Sequence, residues 1–332
     1  MNILVTGGAG YIGSHVVMQL LQQKKHHLVV VDNLQTGFRK TIDTLLLFGD
    51  FDFIDVDILN RQEIEKVFQH YHFDVVFHFA ASLLVGESVE KPLKYYLNNT
   101  CNSAKLIDLC NKYNVNKFIF SSTAAVYGEP SVEKIPLKEN ELTSPINPYG
   151  SSKLFTEQII QENAKTNSSF KYVILRYFNV AGAESTLHIG ECHEPETHLI
   201  PLVVQTALAK REKIMIFGDK YDTPDGTCIR DYIHVEDLAS AHLAAMEYLE
   251  ENKSDIFNCG YGHGFSVKEV VDTVKKVSGI DFTVEVTSRR EGDPAVLIAD
   301  NQKILNYTTW KPQYDDLELI CKTALEWEKK RD

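Results

Sequence analysis

The chain has 332 residues, enough for about two domains, and its 44% apolar and 24% charged content with 18 glycines and 10 prolines excludes collagen-like, low-complexity and disordered classes. Asp plus Glu number 46 against 34 Lys plus Arg, and no basic run offsets the net charge of −12, so nucleic acid is not an expected partner. Apolar runs such as 28–31 and 75–81 fall far short of the roughly 20 residues of a membrane span, no secretory leader opens the chain, and six dispersed cysteines form no C-x-x-C pair, so a cytoplasmic protein with reduced thiols and no membrane partner is expected.

In chain order, short runs rich in Val, Ile and Phe at 3–6, 28–32, 52–56, 75–79, 117–121 and 172–175 read as strands covered on both faces. Helix-period stretches at 11–24, 61–69, 89–112 and 148–164 lie between them. Repeated strand-helix-strand units imply an α/β fold, a Rossmann-type doubly wound parallel sheet. After residue 178, prolines 195, 201, 224 and 294 punctuate shorter elements, with helices at 199–210, 235–250, 266–278 and 314–329. The expected division is a dinucleotide-binding domain over 1–178 and a smaller α/β substrate domain over 179–332, with the chain free to cross between them.

The first strand runs into Thr6-Gly7-Gly8-Ala9-Gly10-Tyr11-Ile12-Gly13, which sets Gly7, Gly10 and Gly13 at a helix start. Glycines there allow a tight turn and a close approach to a pyrophosphate, which the free N–H groups and helix dipole favour. Asp32 follows about 20 residues on, at the end of the second strand, where a carboxylate accepts from ribose hydroxyls and repels a 2′-phosphate. The expected cofactor is therefore NAD rather than NADP. Asp57 and Ile58 after the third strand, and Phe79, Ala80 and Ala81 after the fourth, are further candidates for its contacts.

Pro148-Tyr149-Gly150-Ser151-Ser152-Lys153 opens a helix, and the four-residue spacing places Tyr149 and Lys153 on one face. An ammonium beside a phenol favours the phenolate, so the pair is expected to tune Tyr149 as a base that takes a hydroxyl proton while hydride leaves the same carbon. A hydroxyl-rich strand end, Ser121-Ser122-Thr123, precedes it.

With these motifs the sequence resembles the extended short-chain dehydrogenase/reductase family and, within it, the nucleotide-sugar 4-epimerases. The resemblance rests on TGGAGYIGSH at 6–15, DNLQTG at 32–37, HFAA at 78–81, VGES at 85–88, SSTAAVYGE at 121–129 and NPYGSSK at 147–153. It continues with the more specific RYFNVAGA at 176–183, HLIP at 198–201, DGTCIRDYIHV at 225–235 and RREGDPA at 289–295.

The resemblance implies that Tyr149 is the catalytic acid and base, that Lys153 holds the nicotinamide ribose and lowers the phenol, and that the Thr123 hydroxyl acts at the sugar O4. It adds Asn33, Thr36, Gly37, Asn98 and Phe178 to the cofactor side. Asn179, His198, Leu199, Phe217, Arg230, Tyr232, Arg290 and Asp293 match nucleotide-contacting positions, with Leu297 beside the sugar. The implied reaction is reversible 4-epimerisation of UDP-glucose and UDP-galactose through transient oxidation at C4, with NAD tightly held and a 4-keto sugar that rotates before reduction. A homodimer is also implied.

Two features depart from the pattern: Leu83 and Leu84 stand where some relatives carry a lysine near the cofactor phosphates, and Leu297 is intermediate between the small and large residues that gate N-acetylated sugars. A dehydratase needs an acid pair after the hydroxyl residue, and Ala124-Ala125 argues against it. Epimerases of other UDP-sugars (N-acetylglucosamine, glucuronate, pentoses) and a non-catalytic NAD sensor stay open. Cys192, His193 and His198 share a loop, but their spacing fits no zinc pattern, so a polar substrate loop without metal is expected.

Overall fold

A computed structural model describes residues 1–251, 253–290 and 292–331. Its centre is a parallel seven-stranded sheet containing β1 (Asn2–Thr6), β2 (His27–Asp32), β3 (Asp52–Asp55), β4 (Val75–His78), β5 (Lys117–Thr123), β6 (Lys171–Tyr177) and a late strand, Asp255–Cys259. The late strand lies on the edge beside β6, followed by β5, β4, β1, β2 and β3. Strand order reverses between β1 and β4, the point where a doubly wound sheet opens a crevice at its carboxyl edge.

The apolar runs become interior strands because alternate side chains enter opposite cores. Ile3, Val5, Leu28, Val30, Val75 and Phe77 face one side, while Leu4, Val29, Val31, Val76, Phe118 and Phe120 face the other. Helices Tyr11–Gln23 and Val235–Glu251 pack together over the first face. Helices Arg61–His70, Asn102–Lys112 and Pro148–Thr166 supply Ile64, Phe68, Leu106 and Ile160 to the second.

Three differences from the sequence expectations bear on the main sheet and its helices. The helix expected over 89–112 is broken into Val85–Glu90, Pro92–Tyr95, a π-helical turn Tyr96–Cys101 and Asn102–Lys112. Pro92 begins the second piece, where its missing N–H costs no hydrogen bond. A helix at Arg39–Leu45 was not expected, nor was the strand Asp255–Cys259, whose burial as an edge of the main sheet no local pattern announces. Beyond residue 178 the chain therefore contributes both that strand and the helix Val235–Glu251 to the dinucleotide half.

The remaining strands are short. Asn179–Ala181 pairs Tyr232–His234, Lys213–Phe217 pairs Thr283–Thr287, and Ile229–Arg230 lies between Phe265–Ser266 and Val296–Leu297. Leu297 and Arg230 are register partners, so two residues 67 positions apart are fixed side by side opposite the sheet's carboxyl edge.

Candidate active site

A cleft of about 670 Å³ runs between the carboxyl edge of the main sheet and the short strands after residue 178. Its floor is the glycine turn. Gly7 has φ +76, and a Cβ there would stand 2.6 Å from the Ala80 nitrogen, so the close approach to the backbone after β4 requires a glycine. At Gly13 a Cβ would lie 2.3 Å from the Gly7 carbonyl oxygen, which fixes the packing of turn against helix. Gly10 caps the helix Tyr11–Gln23 without a side-chain hydrogen bond, leaving the first-turn N–H groups to the cleft.

At the end of β2, the Asp32 carboxylate accepts from Ala9 N–H at 3.0 Å and Leu34 N–H at 2.8 Å, one bond on each oxygen. Burial pushes its pKa up, and the two backbone bonds oppose the rise. Each oxygen keeps a lone pair for a ribose hydroxyl. Asn33 donates to Asp57 at 2.9 Å, tying the loops after β2 and β3 together. The glycine cradle, uncapped helix start and oriented carboxylate fit a dinucleotide.

The opposite wall carries the chemistry. Asn147 caps the helix Pro148–Thr166 by accepting from Gly150 N–H at 2.9 Å, with Pro148 at the first helical position. Tyr149 and Lys153, one turn apart, both line the cleft, as does Thr123 at the end of β5. The Thr123 hydroxyl accepts from Ala125 N–H at 3.1 Å and hydrogen-bonds the Tyr149 phenol. Tyr95 meets Tyr149 edge-on with ring centroids 6.4 Å apart, and its own hydroxyl donates to the Leu84 carbonyl at 2.7 Å.

Electrostatics here differ from the sequence expectation. Burial pushes the Tyr149 phenol well above its ordinary range, the nearby Tyr177 adds to this, and the Thr123 bond opposes it. Lys153 does not offset the rise, because its ammonium donates to the Ser121 carbonyl at 2.8 Å and lies 4.9 Å from the centre of the Phe120 ring. Burial draws Lys153 down to about 7, with Glu157 pulling the other way. Burial by itself therefore favours the neutral phenol at Tyr149.

Of the cofactor candidates, Gly7, Gly10, Tyr11, Ile12, Gly13, Asp32, Asn33, Thr36, Asp57, Ile58, Phe79, Ala80, Ala81, Asn98 and Phe178 all border the cleft. Gly37 does not; a Cβ there would meet that of Ala9 at 2.7 Å, so it serves the approach of two loops. Asn98 is brought round by the π-helical turn and donates to Ser82 at 2.9 Å.

On the nucleotide side, Asn179, His198, Arg230, Asp293 and Leu297 border the cleft, and the Arg230 guanidinium is hydrogen-bonded to Asp293. Leu199, Phe217, Tyr232 and Arg290 are not on its wall. Tyr232 is buried in the core beneath Asn179, its strand partner, while Arg290 stacks over Phe217 at 3.6 Å.

Sequence reasoning missed Tyr95, Tyr177, Lys94, Glu191 and Glu194, which also line the cleft. Lys94 is a cation on the same wall as Leu83 and Leu84, though paired with Glu87 at 2.8 Å. A signal for the acidic loop was present: Glu191 and Glu196 each precede a histidine by two residues.

A parallel sheet with a nucleotide cradle at its switch point and a Tyr-Lys pair one helical turn apart defines a dinucleotide-dependent short-chain dehydrogenase/reductase scaffold. Residues 3–260 match the model of the NAD dependent epimerase/dehydratase family, and the chain belongs to that family. It is 47% identical over 330 residues to the UDP-glucose 4-epimerase of Halalkalibacterium halodurans, covering 99% of this chain and 96% of that protein. Among solved structures it is similar to the UDP-Glc/GlcNAc 4-epimerase of Campylobacter jejuni, with 53% identity, a TM-score of 0.88 and 99% of each chain covered. It is similar as well to the UDP-glucose 4-epimerase of Bifidobacterium longum in complex with NAD+ and UDP, at 37% identity and a TM-score of 0.94, covering 99% of this chain and 98% of that one.

Proposed function

We propose that the protein interconverts UDP-glucose and UDP-galactose by epimerisation at C4, with NAD as a resident cofactor. The observation that carries this reading is the Thr123–Tyr149–Lys153 wall facing Asn179, Arg230 and Asp293 across one cleft bordered by the glycine cradle. NAD supplies reversible hydride exchange with the sugar C4. The chain's own residues do the rest.

Gly7, the helix start at Tyr11 and Asp32 would hold the cofactor, and the resemblance assigns Lys153 to its nicotinamide ribose. The positive charge that NAD would bring to this wall favours the Tyr149 phenolate, which takes the O4 proton as hydride leaves C4 and gives it back when hydride returns, with the Thr123 hydroxyl bonded to that oxygen. Lys153 is the cation of the same helix face, held by the Ser121 carbonyl, and burial draws it down to about 7. Asn179, His198 and Arg230 hold the diphosphate, while Asp293 accepts from a nucleotide hydroxyl. A clamped nucleotide with a loosely held hexose lets the 4-keto sugar present its other face. Leu297 borders the sugar end, and the relative from Campylobacter jejuni is named for both UDP-Glc and UDP-GlcNAc, so UDP-N-acetylglucosamine belongs in the same assay.

A homodimer is part of the reading. Val89, Leu93, Leu97 and Phe155 are 63%, 72%, 57% and 44% exposed on the adjoining segments 85–101 and 148–166, an apolar stripe suited to a second copy of the chain. A cytoplasmic location is supported by six unpaired cysteines; among the described residues, no helix is long and apolar enough to cross a membrane.

The experiment gives purified, desalted protein UDP-galactose without added NAD and follows UDP-glucose by proton NMR. Conversion establishes the reaction and the resident cofactor together. No conversion of either sugar, with NAD then supplied, overturns the reading.

A further inference from the structure

The loop before helix Leu199–Ala207 carries Glu191, His193, Glu196 and His198, whose polar atoms lie within 4.8 Å of one another. Nδ1 of His198 is 2.8 Å from Glu191 Oε1 and 2.9 Å from Glu196 Oε1, and Nδ1 of His193 is 3.0 Å from the same Glu191 oxygen. The two carboxylate side chains are 6% and 5% exposed, whereas His198 is 39% exposed and lines the cleft with Asn179 and Arg230.

A His2Glu2 set suggests a metal, but the hydrogen bonds argue otherwise. Glu196 Oε1 already accepts from Thr197 N–H at 2.7 Å and His198 N–H at 2.8 Å besides the imidazole, so it faces three donors. Glu191 Oε1 faces two imidazoles. Donors converge on acceptors, as in a hydrogen-bonded clamp, whereas a metal needs those oxygens and nitrogens deprotonated with their lone pairs turned inward.

With Nδ1–H committed to the carboxylates, Nε2 is the remaining polar atom of the His198 ring. A neutral ring so held would turn a lone pair toward an anion in the cleft, and only the imidazolium turns an N–H. We propose that Glu191 and Glu196 are positioning residues that keep His198 as an imidazolium donating through Nε2 to the diphosphate of a sugar nucleotide. This rests on the UDP-sugar reading of the cleft.

Because two carboxylates surround it, the cluster supplies a fixed donor rather than net positive charge. The charge of Arg230 on the same nucleotide side is likewise shared, since Arg230 is bonded to Asp293. Burial works against protonation of His198, but Glu191 and Glu196 outweigh it and hold the ring up to about 10. Besides Glu191, Glu196 and His193 in the loop, Tyr11 of the first helix faces the cluster, its ring edge-on to His193 at 6.2 Å.

The test measures UDP-glucose binding by calorimetry on NAD-containing protein between pH 6 and 8.5, in a Tyr149→Phe background to prevent turnover. The diphosphate diester does not titrate in this range. With the clamp intact, Kd is flat. In Glu191→Gln, His198 loses the larger of its two carboxylate supports and its titration falls toward the ordinary imidazole range, so Kd matches the parent near pH 6 and weakens about 10-fold by pH 8.5. Glu196→Gln moves the same way, and Glu191→Asp restores the flat profile. His198→Gln binds weakly at both ends without a step.

A pH-independent loss in both glutamine variants overturns the proposal by assigning the carboxylates a structural role only. Stoichiometric zinc whose removal by EDTA abolishes binding overturns it in favour of a metal site. If Glu191→Gln does not fold, Glu196→Gln and His198→Gln decide. Wild-type protein that binds UDP-glucose but converts neither sugar overturns the functional reading, while the pH profiles still decide the clamp.

Discussion

Tyr149 shows how a local motif and its environment divide the work. The spacing that sets it above Lys153 is a property of one helix, yet burial raises the phenol and turns the lysine to the Ser121 carbonyl. Tyr149→Phe should keep the fold and the cofactor but lose roughly 10²–10⁴ of the turnover, read by the NMR conversion assay. Behind the pair, Glu157 accepts from Ser122 Oγ at 2.5 Å and from Arg176 at 2.6 Å, fully enclosed. Glu157→Gln strands a buried guanidinium and is expected to cost about 3–5 kcal/mol in urea unfolding. An unchanged midpoint would show that Arg176 finds another acceptor. This network was not legible: its members sit on two strands and a helix, and nothing in their local sequence marks them as partners.

Elements with a local signature were readable. Asn147-Pro148 announces the helix that carries the active pair, and the structure uses Asn147 as the cap. Asn147→Ala should therefore lower stability by about 1 kcal/mol in denaturant, with NAD retained. Of the breaks within 85–112, the one before Pro92 carries a local signal in that proline, whereas the π-helical turn at Tyr96–Cys101 carries none. That turn is set by the fit of Asn99 against the Ser82 segment: it accepts from Ser82 N–H at 2.8 Å and donates to Ser152 at 3.0 Å. A π-helical turn widens the helix enough to make those bonds, and such turns recur at functional sites.

At the scale of the whole molecule, two predictions concern assembly and acid stability. On the proposed homodimer, Leu93→Glu in the apolar stripe should yield a monomer in sedimentation equilibrium where the unsubstituted chain is a dimer; a dimer that persists would move the interface elsewhere. His78 is buried between Thr6 at 2.7 Å and Ser103 at 2.8 Å, and burial draws it down to about 3, with Lys153 adding to this. Its folded pKa is below the unfolded value of about 6.5, so its contribution is fully present above that pH and is lost as pH falls toward 3. Between pH 6 and 4, His78→Gln should flatten the fall of unfolding free energy by up to about 1.4 kcal/mol per pH unit. An unaltered slope would show that His78 takes up its proton without unfolding.

The sequence by itself determined the parallel sheet, the glycine cradle with Asp32 and the Tyr149–Lys153 face. Each depends on directions fixed within one strand or helix, where a period of 2 or 3.6 residues sets which side chains point together. Only the tertiary structure decided that Asp255–Cys259 completes the sheet, that Arg230 meets Asp293, and that Glu191 and Glu196 close on His198 at the cleft. Tyr232, which shares a motif with Arg230, starts a different strand, and the pairing of that strand with Asn179–Ala181 places it in the core. Loops have no period to propagate direction, so their side chains acquire partners only when the strands and helices that anchor them are packed.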